Sequence, residues 1–244
     1  MSNHFYTSIA LYYQHIFQFN PTQIEFLKQV LPYNGAKVLD VGCAIGDLSF
    51  ALAHFGFPTW AFDFDAQMVE IAENTKEEVA FFPIFGQQDM RILDQFYPEL
   101  FFDSVICFGN TLVHLLSDND IRKFIRATYK VMVPEGKLTI QILNYQHILD
   151  HHINSLPQID NEHIRFERKY RFTEGFELID FDTMLTVKST GLKIPNSVKL
   201  YPIRQNKLQE LLEEAGFKNF EFFGGFHSEP LVETSLPLIV ICQK

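Results

Sequence analysis

The stretch KVLDVGCAIGDLSFALA, residues 37–53, constrains the fold more than any other part of the chain. Its opening apolar run reads as a buried strand with Asp40 near the end. Gly42 and Gly46 read as a turn, and the apolar residues that follow as a helix from about Asp47 to Phe55. The same unit then recurs. TWAFDF, whose acid is Asp63, is a strand followed by the helix DAQMVEIAENTKEE. Next come strands VAFFPIFG and FDSVICFG, the helix DNDIRKFIRATYKVMV and the strand GKLTIQIL. Strands recurring with helices between them imply an α/β fold built on a parallel, doubly wound sheet. Ligands bind such sheets beyond the carboxyl ends of the strands. Asp40, Gly42, Asp63, Asp89, Asn110 and Asn144 all follow strands and are the first candidates.

The rhythm breaks after residue 144. RFERKYRF, FELIDFDTMLTVK and SVKLYPI read as strands, with turns at Thr173–Gly175 and Gly191–Asn196. They predict a small antiparallel β platform over 145–203, inserted before the helix RQNKLQELLEEAGF. NFEFFGGF and SLPLIVICQK then complete the main sheet as a C-terminal antiparallel hairpin. At the other end, PTQIEFLKQVL is a helix starting at Pro21, and residues 5–18 are an aromatic helical arm. The predicted organisation is a helical arm or lid (1–35), a ligand-binding core (36–144), the platform on the substrate side (145–203), and a final helix and hairpin returning to the core (204–244).

Composition narrows the partners. With 47% hydrophobic and 20% charged residues the chain can bury a large core, and 26 phenylalanines favour aromatic-walled pockets. A net charge of −10 argues against nucleic acid, whose binders show a basic face. The N-terminus has neither the basic start nor the apolar core of a signal peptide, and the longest apolar runs have strand length, far short of a membrane span. Three cysteines without C-x-x-C spacing read as buried free thiols in a reducing compartment, so a cytoplasmic location is expected.

The chemistry lies in the turn. A nicotinamide dinucleotide fingerprint would read G-x-G-x-x-G, and this chain has Ala44 where the second glycine belongs. An S-adenosylmethionine site needs other things: a close backbone turn without a Cβ, a carboxylate for the ribose hydroxyls, and an apolar slot with an acceptor for the adenine amine. Gly42 and Gly46 supply the turn, and Asp40 can orient it or reach the ammonium through water. Asp63, about 20 residues after Gly42, stands where a ribose acid belongs. Phe64 and Met68 can wall the adenine, and QQDM offers Asp89 for the amine and Met90 as a backbone donor.

With those motifs in register, residues 37–144 resemble the class I S-adenosylmethionine-dependent methyltransferases, which have a Rossmann-like sheet. The resemblance is carried by VLDVGCAIGDLSFALA, AFDFDAQMVEIA, GQQDM and FDSVICFGNTLVHL…YKVMVPEGKLTI. It implies cofactor contacts from Gly42, Asp63, Asp89, Met90 and Phe108, and makes 36–144 the S-adenosylmethionine-binding core. Ala44 departs from the commonest glycine, a small residue suiting a turn of ordinary φ, and Pro134–Gly136 departs in a loop remote from chemistry. GNTLVHL, ILNYQHIL and the tail FFGGF…PLIVICQK are similar to the glycine/sarcosine N-methyltransferase type. That finer resemblance would place Asn144 and the Asn110–His114 segment beside the methyl group.

The candidate set is then as follows. Tyr12, Asp40, Gly42, Cys43, Gly46, Asp63, Phe64, Met68, Asp89, Met90 and Phe108 are expected at the cofactor. Tyr6, Asn110, Tyr145, Arg168 and Tyr201 are expected at the substrate, and His114 and Asn144 at the reaction itself. Tyr6, Tyr12 and Tyr13 could close over the cofactor or simply dock an amphipathic arm. Strand alternation puts Phe166, Arg168, Tyr170 and Phe172 on one face. Arg168 among aromatics needs an anion, which could be Asp180 or Asp182 or a substrate carboxylate or phosphate. His147 and His151 are one helical turn apart with no evident third ligand, so no metal is expected. With no strong base beyond His114, the expected acceptor is a small molecule methylated at an amine. A non-catalytic S-adenosylmethionine-binding module and a nicotinamide-dependent oxidoreductase are the alternatives.

Overall fold

A computed structural model of the protein describes residues 4–75, 81–172, 175 and 177–244. The predicted end of the helix at 76–78, the start of the strand at 79–80, and positions 173, 174 and 176 lie outside the described residues.

Seven strands form the main sheet: β1 (Val38–Val41), β2 (Thr59–Asp63), β3 (Ile84–Gln87), β4 (Phe102–Cys107), β5 (Met132–Leu143), β10 (Lys218–Phe223) and β11 (Pro237–Gln243). Their order is β10-β11-β5-β4-β1-β2-β3, with the first five in sequence all parallel and β11 antiparallel to both its neighbours. Every residue of β1 is buried, as expected of a central strand covered on both faces. The chain leaves β1 towards β2 and returns on the other side as β4, so a crevice opens between the ends of β1 and β4.

The helices α4 (Asp47–His54), α5 (Ala66–Asn74), α6 (Asp118–Val131) and α8 (Gln205–Ala215) flank this sheet. Their starts follow from local chemistry. Asp65 caps α5 by accepting from the amides of Gln67 and Met68, and Ser117 caps α6 by accepting from Asp120.

The platform is a separate four-stranded antiparallel sheet of β6 (Ser155–Asp160), β7 (Ile164–Phe172), β8 (Ile179–Val187) and β9 (Lys193–Leu200), in that order. Two of its features go beyond the sequence reading: α7 (Tyr145–Asp150) precedes it, and β6 adds a fourth strand. SLPQID carries a proline and a register shift between Leu156 and Ile159, which an edge strand tolerates and a pattern search passes over.

The N-terminal arm is broken rather than continuous. It consists of α1 (His4–Ile9), a 3-10 turn over Ala10–Tyr12, and α2 (Tyr13–Ile16), followed by α3 (Thr22–Val30). Phe5, Ile9 and Ile16 pack with Ile164, Phe166 and Leu185 on the inner face of the platform. Ala10 packs with Ile45 and Met68 of the main domain. The arm thus bridges the two sheets and roofs the crevice.

Candidate active site

The turn after β1 is built for close approach. Gly42 has φ +76°, and a Cβ there would lie 2.4 Å from Thr111 Cγ2 on the segment that follows β4. The amides of Gly42 and Cys43 both donate to the Phe62 carbonyl, at 2.8 and 3.0 Å, tying the turn to β2. Ala44 corrects the expectation of an ordinary φ, for it stands at +48°. A left-handed alanine costs about 1–2 kcal/mol, and the hydrogen bond from its amide to Asp63 Oδ2 (2.9 Å) holds it there.

Asp63 is the last residue of β2. Its Oδ1 accepts from the Asp65 amide at 2.9 Å. Burial pushes its pKa up to about 6 although these backbone amides favour the ionised form. An ionised carboxylate has about four lone-pair sites, so capacity remains for two hydroxyl donors. Asp65 caps α5 and also accepts from the Thr7 hydroxyl of the arm. Phe64, Met68 and Met90 line an apolar slot beside Asp63. Gln88 joins them, its Oε1 buried with no hydrogen-bond partner.

The cavity has a volume of about 370 Å³, and Asp63, Phe64, Met68 and Met90 line it. Gly109, Thr111, His114 and Leu116 line it too, with Phe5 and Tyr6 of the arm, Ser197–Lys199 of β9 and Tyr13. The Tyr6 hydroxyl and His114 Nε2 share a hydrogen bond of 2.9 Å. Burial lowers the His114 pKa to about 4, so its imidazole is neutral at physiological pH, and burial raises that of Tyr6.

Of the predicted residues, Tyr6, Gly42, Asp63, Phe64, Met68, Met90 and His114 line this cavity. Others stand behind it. Asp40 is buried, accepts from Ser49 Oγ of α4 at 2.6 Å, and has a pKa raised to about 6 by burial. It anchors the turn to α4 instead of facing the cavity. Cys43 is buried in the turn, and Gly46, at φ +90°, starts α4 where a Cβ would meet the Phe85 ring at 2.8 Å. Phe108 packs against Phe226 with its ring tilted and accepts from the Thr111 hydroxyl through its carbonyl. Asn110 donates to Tyr145 Oη (2.9 Å) and accepts from the Leu143 amide (3.0 Å), bracing the floor with a fully buried Tyr145.

Five expectations are corrected. Asp89 turns away: its carboxylate takes the Arg91 amide and, through both oxygens, the Arg91 guanidinium. Asn144 caps α7 and donates to the Ser235 carbonyl at 3.0 Å, beside a second, separate pocket. Tyr201 donates to Asp118 at 2.5 Å, outside the cavity lining. Tyr12 packs into the apolar cluster under the platform. Arg168 pairs with neither Asp180 nor Asp182, because those acids share the outer face with Arg171, which takes both at 3.4 and 2.9 Å. Arg168 instead lies opposite Thr183 on the inner face; it donates to the Pro157 carbonyl (2.6 Å) and its Nε is left without a partner.

The sequence reading passed over Asp65, Gln88 and Ser197–Lys199, and included Thr111 only within the Asn110–His114 segment. Asp65 had a signal, an acid two residues before Gln67 at a helix start. The β9 residues had none, since only tertiary packing brings that edge strand to the cavity.

The donor set fits S-adenosylmethionine. A carboxylate with spare acceptor capacity suits a vicinal diol, the slot with an unpaired amide oxygen suits an aromatic amine-bearing base, and the Gly42 cradle suits a group pressed against backbone. Comparison with known proteins agrees. Residues 38–136 match the family described as methyltransferase domain. The chain is 28% identical over 217 residues to a glycine/sarcosine N-methyltransferase of Halorhodospira halochloris, covering 83% of this chain and 73% of that relative. Its fold is that of the S-adenosylmethionine-dependent methyltransferase from Clostridium acetobutylicum ATCC 824, with a TM-score of 0.81, 15% identity and 98% of each chain covered. It is equally that of the CcbJ methyltransferase from Streptomyces caelestis, with a TM-score of 0.83, 15% identity, and 96% of this chain and 95% of that one covered.

Proposed function

This chain is a class I S-adenosylmethionine-dependent methyltransferase, and we propose that its acceptor is a small molecule methylated at an amine nitrogen. The observation that carries this reading is the Tyr6–His114 pair, with its imidazole neutral, in the lining of the cavity. The bound cofactor supplies a methyl carbon already activated by its sulfonium, so the protein's task is alignment and exclusion of water. Tyr6 and Phe5 of the arm and the β9 edge close the cavity over a small acceptor. An unprotonated amine brings its own lone pair, whereas a hydroxyl or carbon acid needs a base matched to the working pH. His114, with its pKa near 4, is too weak for that task and suits an orienting hydrogen bond. Among the described lining residues the carboxylates are Asp63 and Asp65, both already accepting from backbone amides. The N-methyltransferase name of the Halorhodospira relative points the same way.

The inner face of the platform favours an acceptor that also carries a carboxylate. Arg168 Nε and the Thr183 hydroxyl are buried there without hydrogen-bond partners, and the Tyr170 hydroxyl meets that of Tyr145. Burial lowers the Arg168 pKa, the mark of a guanidinium short of counter-charge. Tyr145 links this face to the cavity: burial first, then the nearby Tyr170 and Tyr6, raise its pKa.

The test is methyl transfer to a panel of small amines, with and without a carboxylate, beside phenols and carboxylic acids, read by mass spectrometry. Amines should gain a methyl group, the carboxylate-bearing ones at the lowest KM. Methylation confined to oxygen or carbon acceptors would overturn the reading. Arg168→Met should raise KM for amino acids by about tenfold or more while leaving S-adenosylhomocysteine affinity intact, as loss of a charge-assisted contact requires.

A further inference from the structure

The parallel ladder between β4 and β5 ends at the pair Cys107↔Ile140, and Gln141 is the first β5 residue beyond it. On its other flank it is paired with Ile239 of β11. Gln141 is buried between Ile140 and Ile142, where an amide side chain costs free energy unless its groups are bonded. The chain leaving β4 supplies those bonds. Gly109 and Asn110 follow one another in the left-handed region, at φ +72° and +67°, which glycine and asparagine enter most readily. Both of their amides turn to Gln141. Gly109 donates to its Oε1 at 2.9 Å, and Asn110 to its main-chain carbonyl at 3.2 Å. The side chain is locked from its other atom, Nε2 donating to the Ile142 carbonyl at 3.1 Å. An amide accepts and donates at once without charge, and here it does both.

The segment held in this way carries a wall of the cavity. Thr111 opens the 3-10 turn Thr111–His114, and its methyl group fills the space that a Cβ on Gly42 would need. At the far end of the turn His114 meets Tyr6. Gly109, Thr111 and His114 line the cavity, and Gln141 stands behind them.

We propose that Gln141 is a positioning residue for methyl transfer: by clasping Gly109 and Asn110 it seats Thr111 against the glycine turn and brings His114 to Tyr6. It acts through this segment and not on a ligand. The inference concerns a geometry common to every acceptor and does not depend on the amine reading.

Two measurements on the full chain test it without turnover: calorimetric binding of S-adenosylhomocysteine, and the titration of His114 followed by NMR. The His114 signal is identified by its loss in His114→Asn. Gln141→Leu removes the acceptor for the Gly109 amide and the donor for Ile142. It should weaken S-adenosylhomocysteine by about tenfold, the scale of a buried donor left unpaired. It should also move the His114 titration from about pH 4 towards the ordinary histidine range, because the imidazole leaves its buried seat. Gln141→Asn draws the amide back by one methylene and should shift both readings the same way at less cost to folding. Gln141→Glu should recover both, since a carboxyl that burial keeps protonated can accept from Gly109 and donate to Ile142. Thr139→Val, two residues earlier on the same buried strand, should alter neither. A purely structural glutamine would lower Tm and leave the affinity and titration of the folded protein where they were. The proposal is overturned if folded Gln141→Leu or Gln141→Asn keeps either reading at its original value, or if Thr139→Val moves them as far.

Discussion

Asp63 is held by two backbone amides and is nevertheless buried, and its pKa of about 6 records that burial outweighs the amides. Raised from 3.8 by roughly two units, it costs the ligand-free protein about 3 kcal/mol when ionised at neutral pH. The sign follows from proton binding. Between pH 4 and 6 the folded state holds more protons than the unfolded one, so stability without ligand rises as pH falls through that window. Asp40, raised to about 6 chiefly by burial, acts in the same direction. With Asp63 proposed as the acceptor for the ribose, ligand affinity is expected to behave oppositely, because hydroxyls donate to the ionised form. S-adenosylhomocysteine affinity should be flat above pH 7 and fall towards pH 5, as calorimetry across that range would show. Asp63→Asn should raise the ligand-free Tm and weaken S-adenosylhomocysteine by about tenfold or more, a stability gain at the expense of function.

The β1–α4 turn is the element in which sequence and geometry agree most closely. Gly42→Ala would place a methyl group 2.4 Å from Thr111 Cγ2 at a φ of +76°. Strain alone costs about 1–2 kcal/mol, and the clash adds displacement of Thr111. The expected outcome is a lowered Tm together with loss of S-adenosylhomocysteine binding, measured by thermal melting with and without ligand. In this element the motif was legible because a close approach admits glycine and little else. On β7 the alternation of faces was legible too, and it placed Arg168 among aromatics correctly. The identity of its neighbours was not, because the register Arg171↔Asp180 puts both platform acids on the opposite face. At the end of β3 the sequence offered two adjacent polar residues, Gln88 and Asp89. Which one faces the cavity depends on where the strand gives way to the 3-10 helix Met90–Gln95, which Asp89 caps.

At the scale of the molecule, the platform is joined to the main sheet by shared burial. Leu156, Tyr170, Ile179 and Leu200 of the platform belong to the same apolar cluster as Leu39, Val105 and Ile140 of the main sheet. The two sheets should therefore unfold together. Trp60, the single tryptophan, reports from β2, whereas far-ultraviolet circular dichroism reads both sheets. Urea transitions by the two probes are expected to coincide. Phe166→Ala, in the layer between platform and arm, should shift both midpoints together by about 3–5 kcal/mol of stability. A split between the probes would show that the platform folds as an independent unit.

The sequence by itself determined the α/β sheet, the glycine turn, an acid at the end of β2 and the existence of a platform. Each of these is written in local chemistry: a period of two or 3.6, a residue lacking a Cβ, an acid at a strand end. Only the tertiary structure decided that the broken arm roofs the crevice, that Tyr6 reaches His114, and that the β9 edge walls the cavity. It also decided that Asp89, Asn144, Tyr201 and Arg168 have partners other than those expected. Those outcomes depend on which distant segments pack side by side, and side-chain hydrogen bonds over separations such as the 108 residues between Tyr6 and His114 leave no periodic trace in the chain.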